Sequence, residues 1–112
     1  MSEKKSTEGF LGIKDEWTQR VAADKADYLD AFDNTDCLIE YWALRYPDTQ
    51  TTHDRDEVYV ITAGDADFDM GGKIRVVKTG DLIFVPAQML HRFVRCSPDL
   101  AMWIVFFGAQ KT

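Results

Sequence analysis

Ala66, Phe68 and Met70 alternate with Asp65, Asp67 and Asp69, and two glycines follow at once. A side-chain period of two belongs to a strand with one buried face, and Gly71-Gly72 can fill the two positive-φ positions of a tight hairpin. The chain should therefore return antiparallel through Lys73–Lys78, which commits this stretch to a sheet and requires further strands to cover its apolar face.

Those strands can be read on either side. Leu38–Tyr46 separates by parity into Glu40, Trp42, Leu44 and Tyr46 on one face and Ile39, Tyr41, Ala43 and Arg45 on the other. Both sets carry apolar groups, so both faces are expected to be covered. Glu57–Ala63 follows a polar loop, with Glu57, Tyr59 and Ile61 sharing a face. Leu82–Val85 is a short apolar strand stopped by Pro86. In the next strand His91, Phe93 and Arg95 are expected on one face and Arg92, Val94 and Cys96 on the other. Leu100–Phe107 is apolar at both parities, the pattern of a strand buried on two sides. Upstream, Phe10, Leu11 and Ile13 suit a short edge strand. Trp17, Val21, Tyr28, Leu29 and Phe32 suggest an amphipathic helix over Lys25–Phe32, capped by Asp24 and ended by Asp33-Asn34. Strands at intervals of roughly 8–12 residues with one N-terminal helix predict an all-β sandwich or small barrel. Residues 1–9, rich in Ser, Lys, Glu and Thr, are expected to be disordered, and residues 10–112 to form one domain.

The chain has only two histidines, His53 in the loop before Glu57 and His91 in a later strand. Two imidazoles and a carboxylate form a ligand set that leaves open positions on a metal such as Fe(II) or Zn(II). Taken alone, they fit hydrogen-bonded histidines of a surface or core equally well.

The surrounding pattern adds to this reading. His53, Glu57 and Gly64 are spaced as the second His, the Glu and the closing Gly of the first motif of the cupin superfamily, over about residues 51–64. Gly80, Pro86 and His91 keep the spacing of its second motif, over about residues 80–95. The chain resembles a small cupin from about residue 38 to residue 108, and it departs from the pattern at four places. Thr51 stands at the first His, Gln88 at the second Gly of the second motif and Arg95 at the Asn, and the opening Gly of the first motif is absent. The resemblance implies a jelly-roll β-barrel. It also implies one divalent transition metal (Fe, Mn, Ni, Zn or Cu) held by His53, Glu57 and His91, with a small-molecule substrate or ligand. Similar cupins are dioxygenases, isomerases or decarboxylases, and a metal-bearing binding or sensing module is the alternative. Thr51, Tyr59, Gln88 and Phe93 are candidates for the cavity or for contacts behind the ligands. Tyr59 serves equally as barrel packing, and Asp54 and Asp56 equally as solvated loop residues.

A formal charge of −6 and a pI near 4.7 argue against nucleic acid and anionic membranes as partners. The N-terminus lacks the apolar core of a secretory signal, and no apolar run is long enough to span a bilayer, so a cytoplasmic location is expected. Cys37 and Cys96 sit in no paired motif and are expected to be reduced, partly buried thiols. The doubly apolar strands Leu38–Tyr46 and Leu100–Phe107 suggest a homodimer.

Overall fold

A computed structural model of the protein describes residues 14–24, 27–43 and 52–108. The expected edge strand at residues 10–13, the disordered segment 1–9, the end of the strand expected over 38–46, and Thr51 lie outside the described residues.

One helix, α1 (Lys14–Asp24), precedes eight strands: β1 (Tyr28–Asp33), β2 (Cys37–Trp42), β3 (Asp56–Ala63), β4 (Asp65–Met70), β5 (Lys73–Lys78), β6 (Leu82–Val85), β7 (His91–Cys96) and β8 (Ala101–Phe107). They form a five-stranded sheet in the order β1-β2-β8-β3-β6 and a three-stranded sheet in the order β5-β4-β7. All the pairings are antiparallel. No ladder joins β5 to β6, so the barrel is not closed on that side.

Strand parity gives the large sheet two different faces. Its inner face carries Tyr59, Ile61, Ile83, Val85, Met102, Ile104 and Phe106, which pack against Ala66, Phe68, Val77 and Phe93 of the small sheet. On the outer face, Trp17 and Val21 of α1, one helical turn apart, cover Tyr41, Ala31 and Ala101. Trp103 lies edge-on to Trp17 at 6.0 Å between centroids and to Tyr41 at 4.6 Å. The Tyr41 hydroxyl meets Thr18 Oγ1 at 2.7 Å, so its polar end is satisfied where its ring is buried. The all-β architecture with an N-terminal helix is thus the one expected, and β2 and β8 are apolar on both faces because α1 lies on one of them.

Two local readings are corrected. Residues 28–33 form a strand, and the helix lies upstream, with Asp24 as its last residue instead of its cap. The apolar spacing of Tyr28, Leu29 and Phe32 suits a helix, but pairing of Tyr28 with Trp42 and of Leu29 with Tyr41 prevails, an instance of tertiary contacts overriding local preference. In β7, Phe93 pairs with Phe68 and Cys96 with Ala66, so three steps on one strand oppose two on the other. This irregularity turns Cys96 toward the core, while Arg95 goes to the surface and binds Asp65 and Asp67. Among the described residues, no helix is long and apolar enough to cross a membrane.

The glycines of the two motifs do different work. Gly64 has a φ of +77°, and a Cβ there would meet Ser97 Oγ and lie 2.9 Å from the Leu100 Cα. Gly80 has a φ of +95° but open space around the position of a Cβ. Gly80→Ala should therefore cost only the strain of a left-handed backbone, about 1 kcal/mol, whereas Gly64→Ala adds a backbone clash and should cost about 3 kcal/mol or more. Equal losses in urea denaturation would contradict this account.

Candidate metal centre

His53 sits in the loop before β3, Glu57 is the second residue of β3 and His91 opens β7. Glu57 shares the inward parity of Tyr59 and Ile61, and His91 shares that of Phe93, so folding drives both polar side chains into the interior. Each residue is only 1% exposed. The His53 side chain is 30% exposed and forms the solvent side of the group. One ligand atom from each of the three lies within 4.8 Å of the other two.

Hydrogen bonds orient the set. His91 Nδ1 donates to the Met89 carbonyl at 2.8 Å, which leaves Nε2 as the acceptor nitrogen. That nitrogen faces Glu57 Oε2 at 3.6 Å, too far for a hydrogen bond. His53 Nδ1 meets the same oxygen at 2.8 Å. The hydrogen bond to Glu57 raises the His53 pKa, with burial opposing the shift. His91 Nε2 and Glu57 Oε1 are both buried without a hydrogen-bond partner among the described residues. Two unsatisfied acceptors at the centre of a core are costly, and a cation shared with His53 would satisfy both. The donor set therefore fits a divalent metal, with open coordination positions remaining.

The backbone joins the two motif loops. Gln88 N–H donates to the His53 carbonyl at 2.7 Å, and Ala87 N–H donates to Asp56 Oδ1 at 2.8 Å. Gln88 has a φ of +69°, a conformation that favours glycine, and its residue is exposed. The structure thus gives Gln88 a backbone role beside the site, and gives Asp56 the task of holding the turn after β6. Phe93 and Tyr59 are buried beneath the histidines: Tyr59 lies edge-on to His91 at 6.0 Å, and Phe93 packs on Phe68 at 4.6 Å. Asp54 is exposed at the rim.

Two neighbours escaped the sequence reading. Phe106 lies edge-on to His53 at 5.1 Å. Glu40, inward on β2, is 7% exposed and accepts a 2.8 Å hydrogen bond from Trp42 Nε1. The signal for Glu40 was a carboxyl two residues before an inward Trp on an otherwise apolar strand. Burial pushes its pKa up from 4.5 to about 7, with Asp30 adding to the rise while the Trp42 bond and His53 oppose it.

The folded protein thus holds the Glu40 proton more tightly than the unfolded chain does. This contribution to stability is complete below pH 4.5 and is lost as pH rises through about 7. Between pH 5 and pH 8, EDTA-treated wild type should lose on the order of 2 kcal/mol more stability than Glu40→Gln, which cannot ionise. Parallel stability–pH curves in urea titrations would rule this out.

Comparison with known proteins agrees with the fold. An uncharacterized protein of Streptomyces coelicolor is 32% identical over 94 residues, covering 82% of this chain and 90% of that protein. The structure of KdgF from a Halomonas species is similar, with a TM-score of 0.65 and 19% identity over 74% of this chain and 78% of that one. DMSP lyase DddQ from Ruegeria pomeroyi matches with a TM-score of 0.60 and 21% identity, covering 76% of this chain but only 48% of that one. At these identities the two structures speak for the fold alone. The profile of the cupin domain matches residues 46–107, more than half of the chain. The chain belongs to the cupin family.

Proposed function

We propose that His53, Glu57 and His91 hold one divalent transition metal, and that the protein acts on or binds a small molecule at its open positions. The observation that carries this reading is the pair of buried, partnerless acceptors, Glu57 Oε1 and His91 Nε2, converging with His53. A bound metal supplies Lewis acidity toward a ligand oxygen and lowers the pKa of bound water. This chain's own residues orient His91 through the Met89 carbonyl, bury Glu57 and exclude water from below with Tyr59 and Phe93. The ligand set suits Fe, Mn, Ni, Zn or Cu. Metal-dependent dioxygenase, isomerase or decarboxylase chemistry is compatible with such a centre, and so is ligand binding or sensing without turnover. Cys37 and Cys96 form no disulfide with each other, which fits a reducing, cytoplasmic setting.

A metal that binds only the folded state stabilises it, by about 2.7 kcal/mol at one hundred times Kd. EDTA should therefore lower the melting temperature by on the order of 10 °C. His91→Ala should contain less than a tenth of the wild-type metal by elemental analysis, and its melting temperature should not respond to EDTA. Full metal occupancy in His91→Ala would sink the three-residue centre.

We also propose that two copies associate through the outer face of the large sheet. Because α1 covers Tyr41 and Ala101, the uncovered apolar surface lies farther across the sheet than the strand pattern suggested. Leu82 is 70% and Phe84 50% exposed on β6, and Phe84 lies 6.3 Å from Phe107 at the end of β8. Val58 and Val60 pair with Phe84 and Leu82 and extend the patch across β3. A contiguous apolar face of this kind is self-complementary across a two-fold axis. Light scattering should give a dimer for wild type and a monomer for Phe84→Asp; a wild-type monomer at tens of micromolar would refute the association.

A further inference from the structure

The inner face of β1 and β2 forms a cavity of about 470 Å³ beside the metal centre, bounded by Tyr28, Leu38, Glu40, Trp42, His53 and Phe106. This volume suits a small organic molecule. Tyr28 and Trp42 stack with centroids 4.6 Å apart and 13° between planes, which makes a stiff aromatic wall. Trp42 Nε1 holds one Glu40 oxygen at 2.8 Å and so fixes the carboxyl at that wall. The charged groups that act on Glu40 are Asp30, directly opposite on β1, and His53. Asp30 raises the Glu40 pKa, and His53 opposes it when its imidazole is protonated. Asp33 and Asp54 add two negative charges to the lining and Arg55 one positive charge; its Nη2 donates to the Thr35 carbonyl at 3.1 Å and its Nε is buried without a hydrogen-bond partner among the described residues, so the carboxyls outnumber it. A carboxyl held in the interior against an aromatic wall, with a second carboxyl across from it, favours a positive ligand group and rejects a negative one.

We propose that this cavity binds the ammonium group of a small organic cation, with Glu40 as its charge partner and the Tyr28–Trp42 stack as its wall. His53 belongs both to this lining and to the metal set, so the opposite end of such a ligand faces the metal centre. Only that last step rests on the metal reading given above.

The test uses three probes that share a ring and differ in charge: benzylammonium, benzyl alcohol and benzoate. Each is titrated at pH 8, where Glu40 is ionised, into the full chain, both EDTA-treated and reloaded with Zn²⁺, while the Trp42 Nε1–H resonance is followed by NMR. Trp42→Phe assigns that resonance among the three tryptophans. In the EDTA-treated protein, benzylammonium should bind at least ten-fold more tightly than either other probe, and Glu40→Gln should abolish the preference. Benzoate or benzyl alcohol binding within three-fold of benzylammonium overturns the assignment, as does a preference that survives in a well-dispersed Glu40→Gln spectrum. Should that variant fail to fold, the wild-type ranking decides by itself. Zinc stoichiometry on the same samples separates the two ideas. An ammonium preference without zinc uptake sustains the cavity assignment and overturns the metal reading, and zinc uptake without the preference does the reverse.

Discussion

The pairing of β3 with β8 in the middle of the large sheet is the constraint on which the rest depends. Tyr59 lies opposite Ile104, Glu57 opposite Phe106 and Ile61 opposite Met102, all facing inward in one register. A one-residue slip would send this whole set outward and bring Val58, Val60, Trp103 and Val105 into the core. Because Glu57 is locked to the parity of Tyr59 and Ile61, apolar burial is the force that drives its carboxyl into the interior. The core thus places a carboxyl side chain that would not enter an apolar environment by itself, and His91 reaches the same point from the opposite sheet by the parity of Phe93.

The two sheets do not fix the distance between His53 and His91, since both residues lie at or beyond strand ends. That work falls to the backbone bonds from Gln88 to His53 and from Ala87 to Asp56. These bonds fasten the loop before β3 to the turn after β6, while the Met89 carbonyl sets the tautomer of His91. Precision at the centre comes from main-chain geometry outside the ladders, and the apolar floor of Tyr59, Phe68 and Phe93 keeps competing water away from below.

Much of this was legible in the strand pattern. The β4–β5 hairpin follows from alternation and two glycines, which adopt φ values of 62° and 94° at the turn. The inward set of β3 follows from parity. What could not be read was information held in other strands. Residues 28–32 carry apolar side chains at helical spacing, and only their partners on β2 make them a strand. Arg95 and Cys96 exchanged faces at an irregularity in the pairing of β7 with β4, which no local pattern announces. Glu40 was hidden because β2 has apolar groups at both parities, and parity does not say which of two covered faces lies over the cavity.

The departures from the cupin pattern among the described residues fall where main-chain or surface geometry is at stake. Gln88 adopts a φ of +69°, a strain of about 1–3 kcal/mol for a residue with a Cβ. It is tolerated because the side chain lies at the surface while the N–H is used in a 2.7 Å bond to His53. Arg95 sits on the bulged edge of β7, paired with Asp65 and Asp67 and turned away from the interior. Among the matching positions, Glu57 and His91 are buried, whereas Gln88 and Arg95, which differ, are exposed and leave the backbone free to keep its path.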